Sequence, residues 1–343
     1  MRTSDVFIGA LGTCVPEIMS VADAVEQGLL DAKEAEEAGW LGVALAGETS
    51  APDMAVTATR QALERWDGDP ARLGLLLYVD AYHAGPEGWL PQSHVMRHAV
   101  GGELLAVGVR QGCNGIFGAL ELAAACLRAG QSEAALITTA DNLNSPLVDR
   151  WQSSPGFLIG DGAAAALLTR TPGFARLLSV NSVAVPELEA VHRGTEPLFP
   201  SGVAAGRPLD LKARQEEFRR SGEVPVDGWL RMMKAQEEVL ARTLEEAGVE
   251  VGDLAKVAFC HGSREIVEDR WMSQLGLPLE RSDWEYGRRV GHLAASDQLT
   301  SLDHMVTSGQ VGPGDRVLLG GLGPGVGIAA AVVEILEAPA WQD

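Results

Sequence analysis

At 343 residues, with 46% apolar side chains and 40 glycines, the chain reads as one large α/β protein or two packed halves. A formal charge of −20 excludes nucleic acid and anionic membranes as natural partners, and no apolar run is long enough to span a bilayer. Four scattered cysteines, Cys14, Cys113, Cys126 and Cys260, form no CxxC pair and no cluster with histidine, which argues against a metal site and for a reducing cytoplasm.

In chain order, residues 5–12 read as a first strand rather than a signal peptide. Residues 17–38 read as one or two acidic helices with Ser20 as a cap, and 51–66 as a further helix. LGLLLYVDA (73–81) is expected to be a buried strand and SHVMRHAVG a short helix. Leu104 to Val109 is β-branched and apolar, and so is expected to be another buried strand. It breaks at Gln111–Gly112, and an Ala/Leu-rich helical pattern starts directly after Cys113. A thiol there meets the positive end of a helix, which favours the thiolate; the plain alternative is a small buried cysteine.

Strands follow at 133–142 and, after the tight Gly160-Asp161-Gly162 turn, over 157–171. Alternating strands and helices predict a largely parallel sheet covered on both faces. After Pro172 the pattern restarts with a strand, FARLLSVNSVAV. Residues 188–227 are a Pro/Gly- and charge-rich excursion of little periodicity, carrying the basic residues Arg207, Lys212, Arg214, Arg219 and Arg220. An amphipathic helix over 228–247, with Trp229, Leu230, Met233, Val239, Leu240 and Leu244 on its apolar face, ends at Gly248. KVAFCHG is a strand, 263–276 a helix, 290–309 a turn and helix, and DRVLLGGLGPG and VGIAAAVVEIL close the fold as strands. A faint repeat runs through this pattern. Cys113 precedes Gly130, and His292 precedes Gly309, by equal stretches, and each helix leads to a strand, a Gly-rich turn and a second strand. Two such units, 1–171 and 172–343, would bring Cys113 and His292 to one site.

Five motifs then stand in order: Cys113 on its turn, GDGAAAALL (160–168), His261 after VAFC, GHLAAS (291–296) and GLGPG (321–325). Together they resemble the thiolase-fold ketosynthase III superfamily over nearly the whole chain. The resemblance implies a five-layered αβαβα fold of two similar halves, a homodimer, and ping-pong acyl transfer through a cysteine thioester, with no permanently bound cofactor and no metal. The donor would be a thioester of coenzyme A or of an acyl carrier protein.

Condensing members carry Cys, His and Asn. Here His261 matches the histidine, but His292 stands at the Asn position. An amide donates a hydrogen bond that helps decarboxylation; imidazole is a base near neutral pH. His292, with Asp297 to orient it, would take a proton from an acceptor hydroxyl. Five residues along one helix would separate them by about 140°, so pairing requires His292 to lie in the turn before that helix. The pattern resembles natural-product acyltransferases of the cervimycin malonyl-sugar transferase type, which move an intact acyl group onto a sugar or cyclitol hydroxyl. His261 would activate Cys113 or polarise the thioester. The oxyanion hole would use the Cys113 N–H and one from Gly323 or Gly325, because Pro324 has none. Arg150 lies near an adenine contact of the family. The N-terminal coenzyme A clamp is absent and Trp40 reads as core, so a carrier-protein donor is favoured, with 188–227 as a lid and basic docking face. His83, His94, His98, His192 and His304 read as structural or surface residues. The rivals are a decarboxylating β-ketoacyl synthase III-type condensing enzyme and a non-catalytic carrier-protein-binding partner.

Overall fold

The computed structural model describes residues 1–82, 84–223 and 225–341; His83 lies outside them. Its eleven strands are β1 (Arg2–Cys14), β2 (Ile18–Ser20), β3 (Gly42–Ala44), β4 (Leu73–Asp80), β5 (Leu105–Arg110), β6 (Ala134–Asp141), β7 (Gly162–Thr169), β8 (Ala175–Ala184), β9 (Leu254–Ala258), β10 (Arg316–Gly323) and β11 (Gly327–Ile335). The five longest helices are α1 (Ala51–Arg65), α2 (Gly115–Arg128), α3 (Leu211–Ser221), α4 (Gly228–Ala247) and α5 (Asp297–Thr307). Local chemistry explains several boundaries. Ser20 accepts from the Asp23 N–H to start a short helix, Ser50 caps α1 the same way, and Gly248 ends α4 in the left-handed conformation.

Nine strands form one sheet in the order β5-β4-β6-β7-β1-β8-β11-β10-β9, while β2 and β3 form a separate two-stranded antiparallel sheet. The sheet is mixed, not largely parallel. Only β4–β5, β4–β6 and β9–β10 are parallel; the other five pairings are antiparallel. Neither the long link over 142–161 after β6 nor the tight Gly-rich turn after β10 contains a crossover helix, so the next strand returns as an antiparallel neighbour.

The layers follow from which faces are apolar. Helices α2 and α5 bury Ile116, Phe117, Leu120, Leu299 and Leu302 in one cluster with side chains from both halves of the sheet, such as Leu77, Ile137, Val317 and Val333. On the outer face of one half, α1 packs Met54, Ala55 and Ala58 over Leu76, Tyr78 and Leu167. On the outer face of the other, α4 packs Val239, Leu240 and Leu244 over Leu318, Ile328 and Val332. Helix, sheet, helix pair, sheet, helix is the order of a thiolase-like α/β fold. Trp40 is buried, as expected, in a small cluster with Val21, Ala24, Val43 and Leu158.

Four expectations need correction. Strand β5 is not buried: it is the sheet's edge, with Leu105 62% and Val107 38% exposed. Trp229, Leu230 and Met233 are exposed, because only the second half of α4 reaches the sheet. The excursion, read as having little periodicity, holds a regular helix, α3, capped by Asp210. The helix expected over 263–276 is interrupted by a π-turn at Glu268–Met272. No helix among the described residues is long and apolar enough to cross a membrane.

Candidate active site

Cys113 sits in a 3-10 turn, Gly112–Asn114, between the end of β5 and the start of α2. Gly112 adopts φ +59°, and a Cβ there would lie 2.4 Å from Pro324 Cδ, so only glycine fits beneath the β10–β11 turn. Asn114 donates from Nδ2 to the Gly327 carbonyl at 2.7 Å, fastening the cysteine turn to that hairpin. Val326, within the hairpin, is held at φ +52°, an uncommon conformation for a β-branched residue.

His292 is brought to the thiol by backbone pairing. Its N–H donates to the Leu158 carbonyl at 2.8 Å and its carbonyl accepts from Gly160 at 3.0 Å. Asp161 anchors that segment. Fully buried, it accepts from Ala46 N–H, Leu143 N–H and the Arg150 guanidinium. Arg150 also donates to the Ile159 carbonyl and is only 9% exposed, so it faces inward as a brace rather than outward to an adenine. Breaking such a buried pair costs ~3–5 kcal/mol, because it strands a charge. The expected tight turn at Gly160–Gly162 is instead extended chain that pairs with His292 and runs into β7, with Asp161 as a structural hub.

Between His292 and α5 the chain makes a tight turn in which Ala294 takes φ +53°. The turn lets His292 precede the helix while Asp297 opens it, which meets the geometric condition for pairing. The His292 Nε2 lies 2.9 Å from Cys113 Sγ, and Nδ1 lies 2.5 Å from Asp297 Oδ2. Leu293 N–H donates to Asp297 Oδ1 at 2.7 Å. With Nδ1 donating to the carboxylate, His292 turns Nε2 toward the thiol, where it can take a proton and return it.

Burial disfavours charge on His292, yet Asp297 and then Cys113 outweigh it and hold the imidazole well above its usual range. Burial likewise works against the Asp297 carboxylate, but His261 and His292 keep it below the usual carboxylate value. Cys260, next to His261 in the chain, is pushed up by burial to about 12 and stays a thiol.

His261 is not placed against the thiol. Its backbone N–H donates to Asp297 Oδ2 at 2.9 Å, Nδ1 lies 2.9 Å from the Gly291 carbonyl, and Nε2 lies 2.8 Å from Ser301 Oγ. Both ring nitrogens are thus engaged behind Asp297, and neither is free for a thioester. Ser301 was invisible to motif reading, although it lies one helical turn beyond Asp297 on the same helix. Asn114 and Asp161 were also missed as supports; their signal is position beside Cys113 and between the two glycines of the GDG motif.

The expected basic docking face is largely neutralised. Arg207 and Arg214 both bind Glu196, and Arg219 and Arg220 both bind Glu216. The excursion nevertheless reaches the β10–β11 turn, since Glu189, His192, Arg193, Leu198 and Arg214 line a cavity of about 330 Å³ with Gly325. His94 pairs with Asp53 and His304 stacks on Tyr286, both as supporting residues.

Family models of 3-oxoacyl-[acyl-carrier-protein] synthase III match residues 108–184 and, for its C-terminal part, 244–335. A β-ketoacyl-[acyl-carrier-protein] synthase III of Rhizorhabdus wittichii is 30% identical over 297 residues, covering 85% of this chain and 86% of the relative. That of Streptomyces lividans is 26% identical over 294 residues, covering 83% and 80%. Among solved structures, ChlB3, described as an acyltransferase, superposes with a TM-score of 0.94 at 51% identity, covering 98% of this chain and 99% of that one. The synthase III of Aquifex aeolicus shares the fold, with a TM-score of 0.78 at 21% identity over 96% and 99% of the two chains.

Proposed function

Because the chain belongs to the 3-oxoacyl-[acyl-carrier-protein] synthase III family, whose enzymes transfer or condense acyl groups, we propose that it moves an intact acyl group from a thioester to an acceptor hydroxyl. The observation that carries this reading is the Cys113–His292–Asp297 chain, with contacts of 2.9 and 2.5 Å. His292 takes the thiol proton, and Cys113 attacks the donor carbonyl. The oxyanion is met by the Cys113 N–H and by Gly323 or Gly325 in the hairpin. Collapse expels the donor thiolate, which takes the proton back from His292, and leaves the acyl group on sulfur. In the second half His292 accepts the acceptor's O–H proton, the alkoxide attacks the thioester, and Cys113 leaves as the thiolate, which that proton neutralises.

Decarboxylative condensation needs donors that hold an enolate oxygen. His261 has both ring nitrogens committed, to Ser301 on one side and to Gly291 and Asp297 on the other, so it supplies no such donor. The likeness to ChlB3 supports the same side of the choice. The donor proposed is an acyl carrier protein or coenzyme A thioester, and the acceptor a sugar or cyclitol of a secondary metabolite. The exposed apolar edge of β5 fits pairing with a second copy of the chain.

Intact mass after incubation with malonyl thioesters tests the reading. A full malonyl adduct, lost in Cys113→Ala, is expected. An adduct lighter by carbon dioxide would make the protein a condensing enzyme instead, and no adduct on Cys113 with any thioester would favour a binding partner.

A further inference from the structure

Asp297 serves two histidines, and the second has its own support. Ser301 Oγ lies 2.7 Å from Asp283 Oδ2, whose carboxylate also accepts the Phe259 N–H, so the hydroxyl hydrogen goes to Asp283. The Ser301 oxygen then accepts from His261 Nε2 at 2.8 Å. On the other side of the ring, Nδ1 faces only acceptors, the Gly291 carbonyl at 2.9 Å and Asp297 Oδ1 at 3.1 Å. Two nitrogens that both face acceptors describe an imidazolium. The ring is seated against Gly287, where a Cβ would lie 2.9 Å from it, and meets Tyr286 edge-on.

We propose that Asp283 and Ser301 are positioning residues for the catalytic base: they keep both ring nitrogens of His261 protonated, so that Asp297 is shared between two imidazoles. The inference rests on the reading of His292 as base. Shared between two cations, the Asp297 carboxylate grips the His292 proton less tightly than it would alone, and His292 can return it to the leaving group.

The ionisable groups around His261 are Asp297 on α5, Asp283 and Tyr286 before and within Trp284–Val290, Cys260 beside it in the chain, and His292 across Asp297. Burial disfavours charge on His261, but Asp297 and then Asp283 outweigh it and raise its proton affinity. Tyr286 and Cys260 are both pushed up by burial and remain neutral. Asp283 and Ser301 line a cavity of about 450 Å³ with Lys256, Tyr286 and His304, which gives this end of the chain room to exchange a proton with water.

Two measurements test the proposal. The first is the ring nitrogen-15 spectrum of His261 in the intact protein near pH 7. Two protonated nitrogens are expected, and one bare nitrogen overturns the proposal. The second is the pH dependence of Cys113 alkylation by iodoacetamide, whose alkaline limb reports loss of the His292 proton. Asp283→Asn and Ser301→Ala should each move that limb upward, by about tenfold in proton affinity (~1.4 kcal/mol). Ser301→Thr, which keeps the hydroxyl, should leave it in place. Limbs unmoved in both folded variants, or moved equally by Ser301→Thr, overturn the inference. His292→Asn separates the two readings. If that variant keeps the wild-type limb, the base assignment itself fails; if it loses the limb while Asp283→Asn does nothing, only the second relay fails.

Discussion

Two helices run side by side through the centre of the molecule, and their starts have been put to opposite uses. Both α2 and α5 are entered through a short 3-10 turn, and both lead to a strand and an antiparallel return. At α2 the turn offers a thiol and no carboxylate in its first turn; at α5 it offers a histidine just before the helix and Asp297 as the opening residue. The strands that follow differ as well. Strand β6 ends at Asp141, a buried carboxyl that accepts from Ala81 and Tyr82, whereas β10 ends at Gly323, packed on Asn114. One backbone plan thus places a thiol at one helix entrance and an imidazole with its carboxylate at the other. The lesson is that position comes from the fold, while role comes from one or two side chains at the helix entrance.

Substitutions that erase the difference should have effects graded by closeness to the reacting atoms. Replacing the base end is the most severe. His292→Asn should slow transfer to a hydroxyl by about 10³-fold, with Cys113 acylation still detectable by mass. Unchanged transfer would remove His292 from the mechanism. Asp297→Asn leaves the imidazole in place but withdraws the carboxylate, so a loss of about 10²-fold in kcat is expected, with KM for the donor nearly unchanged. A loss confined to KM would mark Asp297 as structural.

The smallest effect concerns stability and the other strand end. Burial raises the Asp141 carboxyl to about 7, against backbone N–H bonds from Tyr82 and Ala81 that oppose it. Unfolded, the same group titrates near ~3.9, so between those values the native chain binds the extra proton. Stability contributed by that proton is present at low pH and lost as pH rises through about 7. Asp141→Asn keeps an acceptor for both N–H groups without the titration. Relative to the parent chain it should gain about 2 kcal/mol in urea unfolding between pH 5 and pH 8. A constant offset across that range would place the Asp141 proton elsewhere.

Much of the site can be read from the chain because its parts are local. A glycine-broken strand before Cys113, a proline in GLGPG and a histidine where an amide is usual are one-dimensional signals, and the fold keeps all three near one another. The pairing of His292 with Asp297 was conditional on a turn whose decisive feature, Ala294 at φ +53°, has no sequence mark. Arg150 and His261 show the opposite failure. Each occupies a family position, yet each points elsewhere, because Asp161 captures one and Asp297, Gly291 and Ser301 capture the other. Burial of β5 was misjudged for a different reason: an apolar strand looks the same in the middle of a sheet and at its edge.

The distance along the chain between thiol and base has a consequence for synthesis. Cys113 and His292 are 179 residues apart, and the hairpin that fastens Asn114 comes later still. A ribosome adding about 5–20 residues per second exposes the cysteine roughly ten to forty seconds before any base exists to activate it. During that interval the nascent chain carries an unactivated thiol. On the proposed mechanism the thiol meets its base only after α5 has folded beside it, so an unfinished copy carries Cys113 without His292.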